Sequence, residues 1–348
     1  GGSGPDIKVP AEATAETAPY FPDNTFTKKE GTIDTGLVIQ DASGNEYVWV
    51  VVPKSLYSNT NYNSNNAKKP SSSTDYANIE YCLQQYTATY RNGTSCSDTY
   101  AADTANVGWF ENETAYNNLK NSMLKSVYEN GGFYVGRYEA GIDTTIGTNR
   151  TSNTDKNSDG KYTMPSTTPV SKADAYPYTY VTRTQAQNLA SNVNSGTKTS
   201  SLMFGVQWDL VLAFMHNKGN IADSTLTSNS TTIGNYNDNL WTIKNAKAQY
   251  SEDDGDTFTA CPNPFKKESE SEILLTTGAD SSFSVQNIYD IAGNVWEWTL
   301  EKTSNTNFPC ASRGDSFNNA GSDGPATDRG CNSTVGSSSN FGFRVSLF

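Results

Sequence analysis

The stretch NIYDIAGNVWEWTLE, residues 287–301, is the most informative in the chain. Trp296 and Trp298 stand two residues apart, the spacing of a strand that buries one face. Asp290 and Glu297 bracket Gly293 and Asn294. Hard oxygen ligands can therefore converge here from side chains and from backbone carbonyls exposed by a glycine-containing turn, which is the chemistry calcium requires.

Around this segment the chain reads as a folded protein with a substantial aromatic core, since its 348 residues include 20 Tyr and 6 Trp. Its 25 basic and 37 acidic residues leave a net charge of −12, with the cations scattered. No cationic field exists to hold a phosphate backbone, which argues against nucleic acid as a partner. The sequence carries no apolar run long enough to span a membrane and no signal-peptide core. Five cysteines without a CxxC pair, and a single histidine, His216, do not suit zinc. The polar, weakly charged composition suits an extracellular surface, where Cys82 and Cys96 form the local pair first to be tested as a disulfide.

Residues 1–30 read as an appended Gly-Ser linker followed by a Pro/Ala/Glu/Thr-rich leader, and 31–348 as one domain. GLVIQDASGNEYVWVVVP (36–53) predicts a hairpin around Asp41–Asn45. An Asn/Ser-rich insertion occupies 57–76. Helical spacing predicts a helix over 112–129 capped by Asn112, another over 182–193, and one from Val206 with Trp208, Leu212 and Met215 along one face. GGFYVGRYEAG (131–141) reads as a core strand. DKNSDGKYT (155–163) has the start of a calcium loop, but Ser166 stands where a bidentate Glu is needed, so a solvated turn is the better reading. Residues 217–280 predict long surface loops. The class is α+β, with short strands, two main helices and much irregular backbone.

The 287–301 segment resembles the GNVWEW signature of the formylglycine-generating enzyme, or sulfatase-modifying-factor, family. The resemblance continues in RGDSF (313–317), GFRVSLF (342–348), GGFYVGRYEAG and FGVQWDLVLAF (204–214), and covers roughly residues 130–348. It implies a C-type-lectin-like fold and, at Asp290, Gly293, Val295 and Glu297, a structural calcium site. The family's oxidases bind copper through two cysteines in the segment after RGDSF, where this chain offers only Cys331, and related iron enzymes use three histidines. Both ligand sets are incomplete here, so no copper, iron or catalytic residue is expected. An oxidase with an atypical active site and a calcium-dependent lectin remain the alternatives.

The same fold serves as the variable protein of diversity-generating retroelements, in which adenine mutagenesis of AAY codons yields NNY codons and so never Lys, Glu, Gln, Met or Trp. After Lys302 the chain contains none of these five residues. The resemblance thus implies a variable region over 311–341. Its displayed positions are Ser312, Asp315, Phe317, Asn318, Asn319, Asp323, Asp328, Gly330, Cys331, Asn332, Val335, Ser338, Ser339, Asn340 and Phe341. Arg313, Gly314, Gly342, Phe343 and Arg344 are among the scaffold that carries them, a division of labour like that of antibody loops. Arg-Gly-Asp within RGDSF is better explained as scaffold than as an adhesion motif. Residues 8–53 are similar to the region that follows an apolar pilin-like helix in bacterial surface proteins. The expectation is a non-catalytic bacterial receptor or adhesin, at the cell surface or on a pilus, once anchored through such a helix. It would bind a protein or glycan on another cell or a phage.

Overall fold

The computed structural model describes residues 20–92 and 95–348, and the 1–19 part of the expected linker lies outside them. In chain order, the strands that build its two principal sheets are β1 (Thr27–Glu30), β2 (Val38–Gln40), β3 (Glu46–Val51), β4 (Gly132–Gly136), β5 (Ser200–Ser201), β6 (Trp296–Lys302), β7 (Cys310–Arg313), β8 (Arg329–Asn332), β9 (Phe341–Gly342) and β10 (Ser346–Leu347). The longer helices are α1 (Ser73–Tyr86), α2 (Glu113–Asn130), α3 (Arg183–Ser191) and α4 (Gly205–Asn217). The class is α+β.

The six-stranded sheet has the order β1-β2-β3-β4-β10-β5, so the last strand of the chain lies between an early strand and a middle one. The Asp41–Asn45 turn joins β2 to β3 as expected, with Gln40 opposite Glu46. Every residue of β3 and β4 is buried, which is why both read as nearly continuous apolar or aromatic runs. The four-stranded sheet has the order β8-β7-β6-β9, antiparallel except for the parallel pairing of β6 with β9.

Capping follows the sequence. Asn112 accepts the Ala115 N–H at the start of α2, and Thr182 with Gln185 forms a reciprocal capping box on α3. The α4 helix is buried from Gly205 to Met215, not along one stripe, because it packs as a central rod of the core.

Several expectations are corrected. The domain begins before residue 31: Tyr20, Phe21 and Phe26 are in the core and β1 pairs with β2. The first long helix, α1, starts at Ser73 within the expected insertion, capped by Ser72; with it the longer helices of the described residues number four, against the three placed by spacing and the two main ones expected of the class. Residues 217–280 are not loops alone. Short strand pairs, Thr242–Ile243 with Phe265–Lys266 and Gln249–Ser251 with Thr259–Ala260 and Leu274–Leu275, enclose a second small core that includes Trp241, Ile243, Ile273 and Phe283. Cys82 and Cys96 are not bonded; all five cysteines are free thiols. At 155–163 the backbone closes as a turn and Asp155 pairs with Arg150 at 2.9 Å.

One ion pair joins the two sheets. Arg344, between β9 and β10, is fully buried and grips Glu297 of β6 with two bonds of 2.8 and 3.0 Å. The same guanidinium donates to the carbonyls of Gly136, at the end of β4, and Tyr289. Removing one partner of such a pair strands a buried charge, whereas replacing both by apolar groups can be nearly neutral. Arg344→Met should therefore destabilise the fold by about 3–5 kcal/mol in urea unfolding, with the double change Glu297→Leu/Arg344→Met recovering much of the loss. A single-variant loss below about 1 kcal/mol would refute this role.

Candidate ligand-binding face

Alternation along β6 sends Trp296 and Trp298 to one side and Glu297 to the other. The two tryptophans meet Phe341 of β9 in a stack: its ring lies 6.1 Å from Trp296 at 10° and 5.0 Å from Trp298 at 22°. The Trp298 indole N–H is satisfied by the Val181 carbonyl at 2.9 Å. These rings form a rigid base beneath the polar segment that links β8 to β9.

That segment, and the one between β7 and β8, are held chiefly through their own main-chain oxygens. Asn237 donates its side chain to Asn318 O and its amide to Asn319 O, both at 2.9 Å. Tyr236 donates to Gly324 O at 2.7 Å and Trp208 to Ala326 O at 2.9 Å. Arg313 donates to Thr327 O and Asp328 O. Beyond β8, Asn106 donates to Thr334 O at 2.8 Å, the Tyr180 amide to Ser338 O at 3.1 Å, and the Trp296 amide to Asn340 O at 2.8 Å. Arg313 is itself fixed by Asp209 at 2.8 Å inside the core.

The expected displayed positions divide. Asn319, Asp323, Cys331 and Val335 are exposed, while Asn318, Asp328, Gly330, Asn332, Ser338, Ser339, Asn340 and Phe341 are half-buried and border the same surface. Ser312, Asp315 and Phe317 are buried, which corrects their assignment as displayed. Phe317 packs with Leu274 and Val295; the Ser312 hydroxyl accepts from Asn332; Asp315, at φ +55°, accepts the Ser316 amide and the Asn319 side chain. With Arg313 and Asp315 both inside, the Arg-Gly-Asp tripeptide is not offered to a partner. His216 closes α4, its Nδ1 at 2.7 Å from Ile221 O.

The anchoring residues Asn106, Tyr236 and Asn237 escaped the sequence reading. Each stands in a polar stretch with no local pattern, and only the long-range fold brings it to the segment it holds.

The residues implied for calcium are brought close, but as parts of an ion pair. Both Glu297 oxygens are taken by Arg344 and one Asp290 oxygen by the Gly278 amide. Glu139 joins them, accepting Asn294 Nδ2 and the Val295 amide, and burial raises its pKa well above the ordinary range. As placed, Glu297 is committed to the Arg344 guanidinium and not to a metal ion. Among the described residues no group of three or more His, Cys, Asp or Glu side chains is arranged to hold a metal ion.

No family model matches the chain, and no curated protein matches it. Among solved structures, a protein described as the crystal structure of CarF aligns over 73% of this chain and 97% of its own, at 13% identity and a TM-score of 0.34. Treponema denticola variable protein 1 aligns over 93% of this chain and 99% of its own, at 12% identity and a TM-score of 0.26. Likenesses this distant carry no argument for fold or function. No helix among the described residues is long and apolar enough to cross a membrane.

Two predictions follow from the electrostatics. Burial, with repulsion from Asp315, pushes the Asp328 carboxyl up to about 7 from 3.8. A folded pKa above the unfolded one means that Asp328 contributes most to stability below 3.8 and that this contribution is lost as pH rises through about 7. Asp315→Asn keeps an acceptor oxygen but removes the repelling charge, so the loss of stability between these values should become shallower in pH-dependent melting. An unchanged slope would show that the two carboxyls do not interact. Separately, adding millimolar calcium or EDTA should move the melting temperature by less than about 1 °C, because Arg344 already supplies the positive charge.

Proposed function

We propose that this protein is a non-catalytic ligand-recognition domain of C-type-lectin-like fold whose C-terminal segment is a diversified binding surface. One observation carries the reading: the segment from Asn318 to Asn340 is held in place chiefly through its backbone carbonyls. A main-chain oxygen is present whatever the side chain, so these bonds survive substitution at the positions they fix. The side chains between the anchors are then free to change without loss of shape, as in binding loops carried on a rigid scaffold. The NNY-compatible composition after Lys302 supports the same reading.

In this reading the domain works at a bacterial surface or on a pilus, and its ligand is a protein or glycan borne by another cell or a phage. The exposed part is polar, with Val335 and the half-buried Phe341 as apolar contacts, a mixture that suits a wet, adaptable interface.

Two measurements test the proposal. Sequencing the flanking DNA should reveal a reverse-transcriptase gene and a near-copy of the 3′ end of this gene that differs from it at adenines. Their absence would remove the retroelement from the account. In the protein, changing Asp323, Val335 and Ser339 to Tyr, singly, should shift stability by no more than about 0.5 kcal/mol each. Asn106→Ala, which deprives Thr334 O of its donor, should cost about 1 kcal/mol or more. The reverse ranking in urea unfolding would contradict backbone anchoring.

A further inference from the structure

Away from the C-terminal face, α2 and α3 border a groove of about 510 Å³, inside the range of about 300–1,000 Å³ typical of small-molecule sites. Its apolar surface comes from Trp109, Phe110 and Leu119. The tryptophan is already fixed. Its indole N–H is donated to Ala101 O at 2.7 Å, the Arg183 guanidinium covers one face at 3.8 Å, and Phe110 meets its ring at 78°. What remains for a ligand is carbon surface held in place before anything binds, which lowers the ordering cost of association.

Polar groups stand beside this surface. The side-chain amides of Asn118 and Asn194 line the groove, and neither has a hydrogen-bond partner among the described residues. Each amide offers two donors and an acceptor. No carboxylate lines the groove, and its cation, Lys198, lies over the Tyr20 ring at 4.4 Å. The groove holds no carboxylate to attract a cation, and its amides offer a polar ligand donors and acceptors that a wholly apolar one would not use.

We propose that this groove is a second binding site, for a short neutral saccharide. A sugar ring presents C–H groups to aromatic surface and hydroxyls that both donate to and accept from amides, which matches the two kinds of surface found together here. The site is built from α2, α3 and the 108–110 and 194–200 segments, so it is fixed while the C-terminal face varies.

The test is calorimetric titration of the intact protein with maltotriose, cellotriose and N,N′-diacetylchitobiose. At least one should bind saturably with a Kd at or below the millimolar range. Asn118→Ala, at an exposed position, should weaken that binding about tenfold, the worth of one good hydrogen bond. Leu119→Arg, checked for an unchanged melting temperature, should abolish it. Val335→Arg on the C-terminal face should leave it unaltered. Failure of all three sugars to saturate would overturn the proposal, as would unchanged affinity in Asn118→Ala. Loss of binding in Val335→Arg would also overturn it, by moving the sugar to the C-terminal face. None of these outcomes depends on whether that face is diversified.

Discussion

The pairing of Glu297 with Arg344 is the constraint on which the arrangement of the C-terminal segment depends. Glu297 belongs to the four-stranded sheet, while Arg344 opens the last run of chain into the six-stranded sheet and also caps the end of β4. Three buried carboxyls, Glu139, Asp290 and Glu297, surround that guanidinium closely enough to interact with it. Burying so much charge is costly, and it is tolerated because amides and carbonyls of the neighbouring turns satisfy what the ion pair leaves over. Because neither sheet can shift without breaking these bonds, the chain between Arg313 and Arg344 is clamped at both ends by buried arginines.

Between those clamps the structure separates shape from chemistry. Asn106, Tyr236, Asn237, Trp208 and Arg313 all reach main-chain oxygens of the segment, so its path is written largely by residues that lie outside it. Trp296, Trp298 and Phe341 supply a stacked floor. Side chains such as Asp323, Val335 and Ser339 take no part in holding the segment, the condition under which a position can change without loss of shape, whereas Asn319 and Asn332 bond to Asp315 and Ser312. Ser312, Asp315 and Phe317 do not meet this condition, because their side chains are themselves part of the packing.

Much of the fold was legible in short-range pattern. The β2–β3 hairpin, the caps of α2 and α3, the buried run of β4 and the Trp-Glu-Trp strand each follow from residues a few positions apart. The α1 helix was not, since Asn/Ser-rich sequence precedes it and its apolar positions, Ile79, Cys82 and Leu83, are few. The second small core was missed for a related reason. Its strands are two or three residues long, too short for alternation to register, and its members come together from 241 to 283 only on folding.

The sequence by itself determined the class, most of the principal strand and helix positions and the presence of a polar C-terminal segment framed by Arg313 and Arg344. These properties arise from local spacing and composition, which act before distant parts of the chain meet. Only the tertiary structure decided which residues of that segment face outward, that Glu297 answers to Arg344, and that Asn106 and Asn237 hold a surface they do not belong to. Those outcomes turn on contacts between residues tens to hundreds of positions apart, and burial is a property of the packed chain.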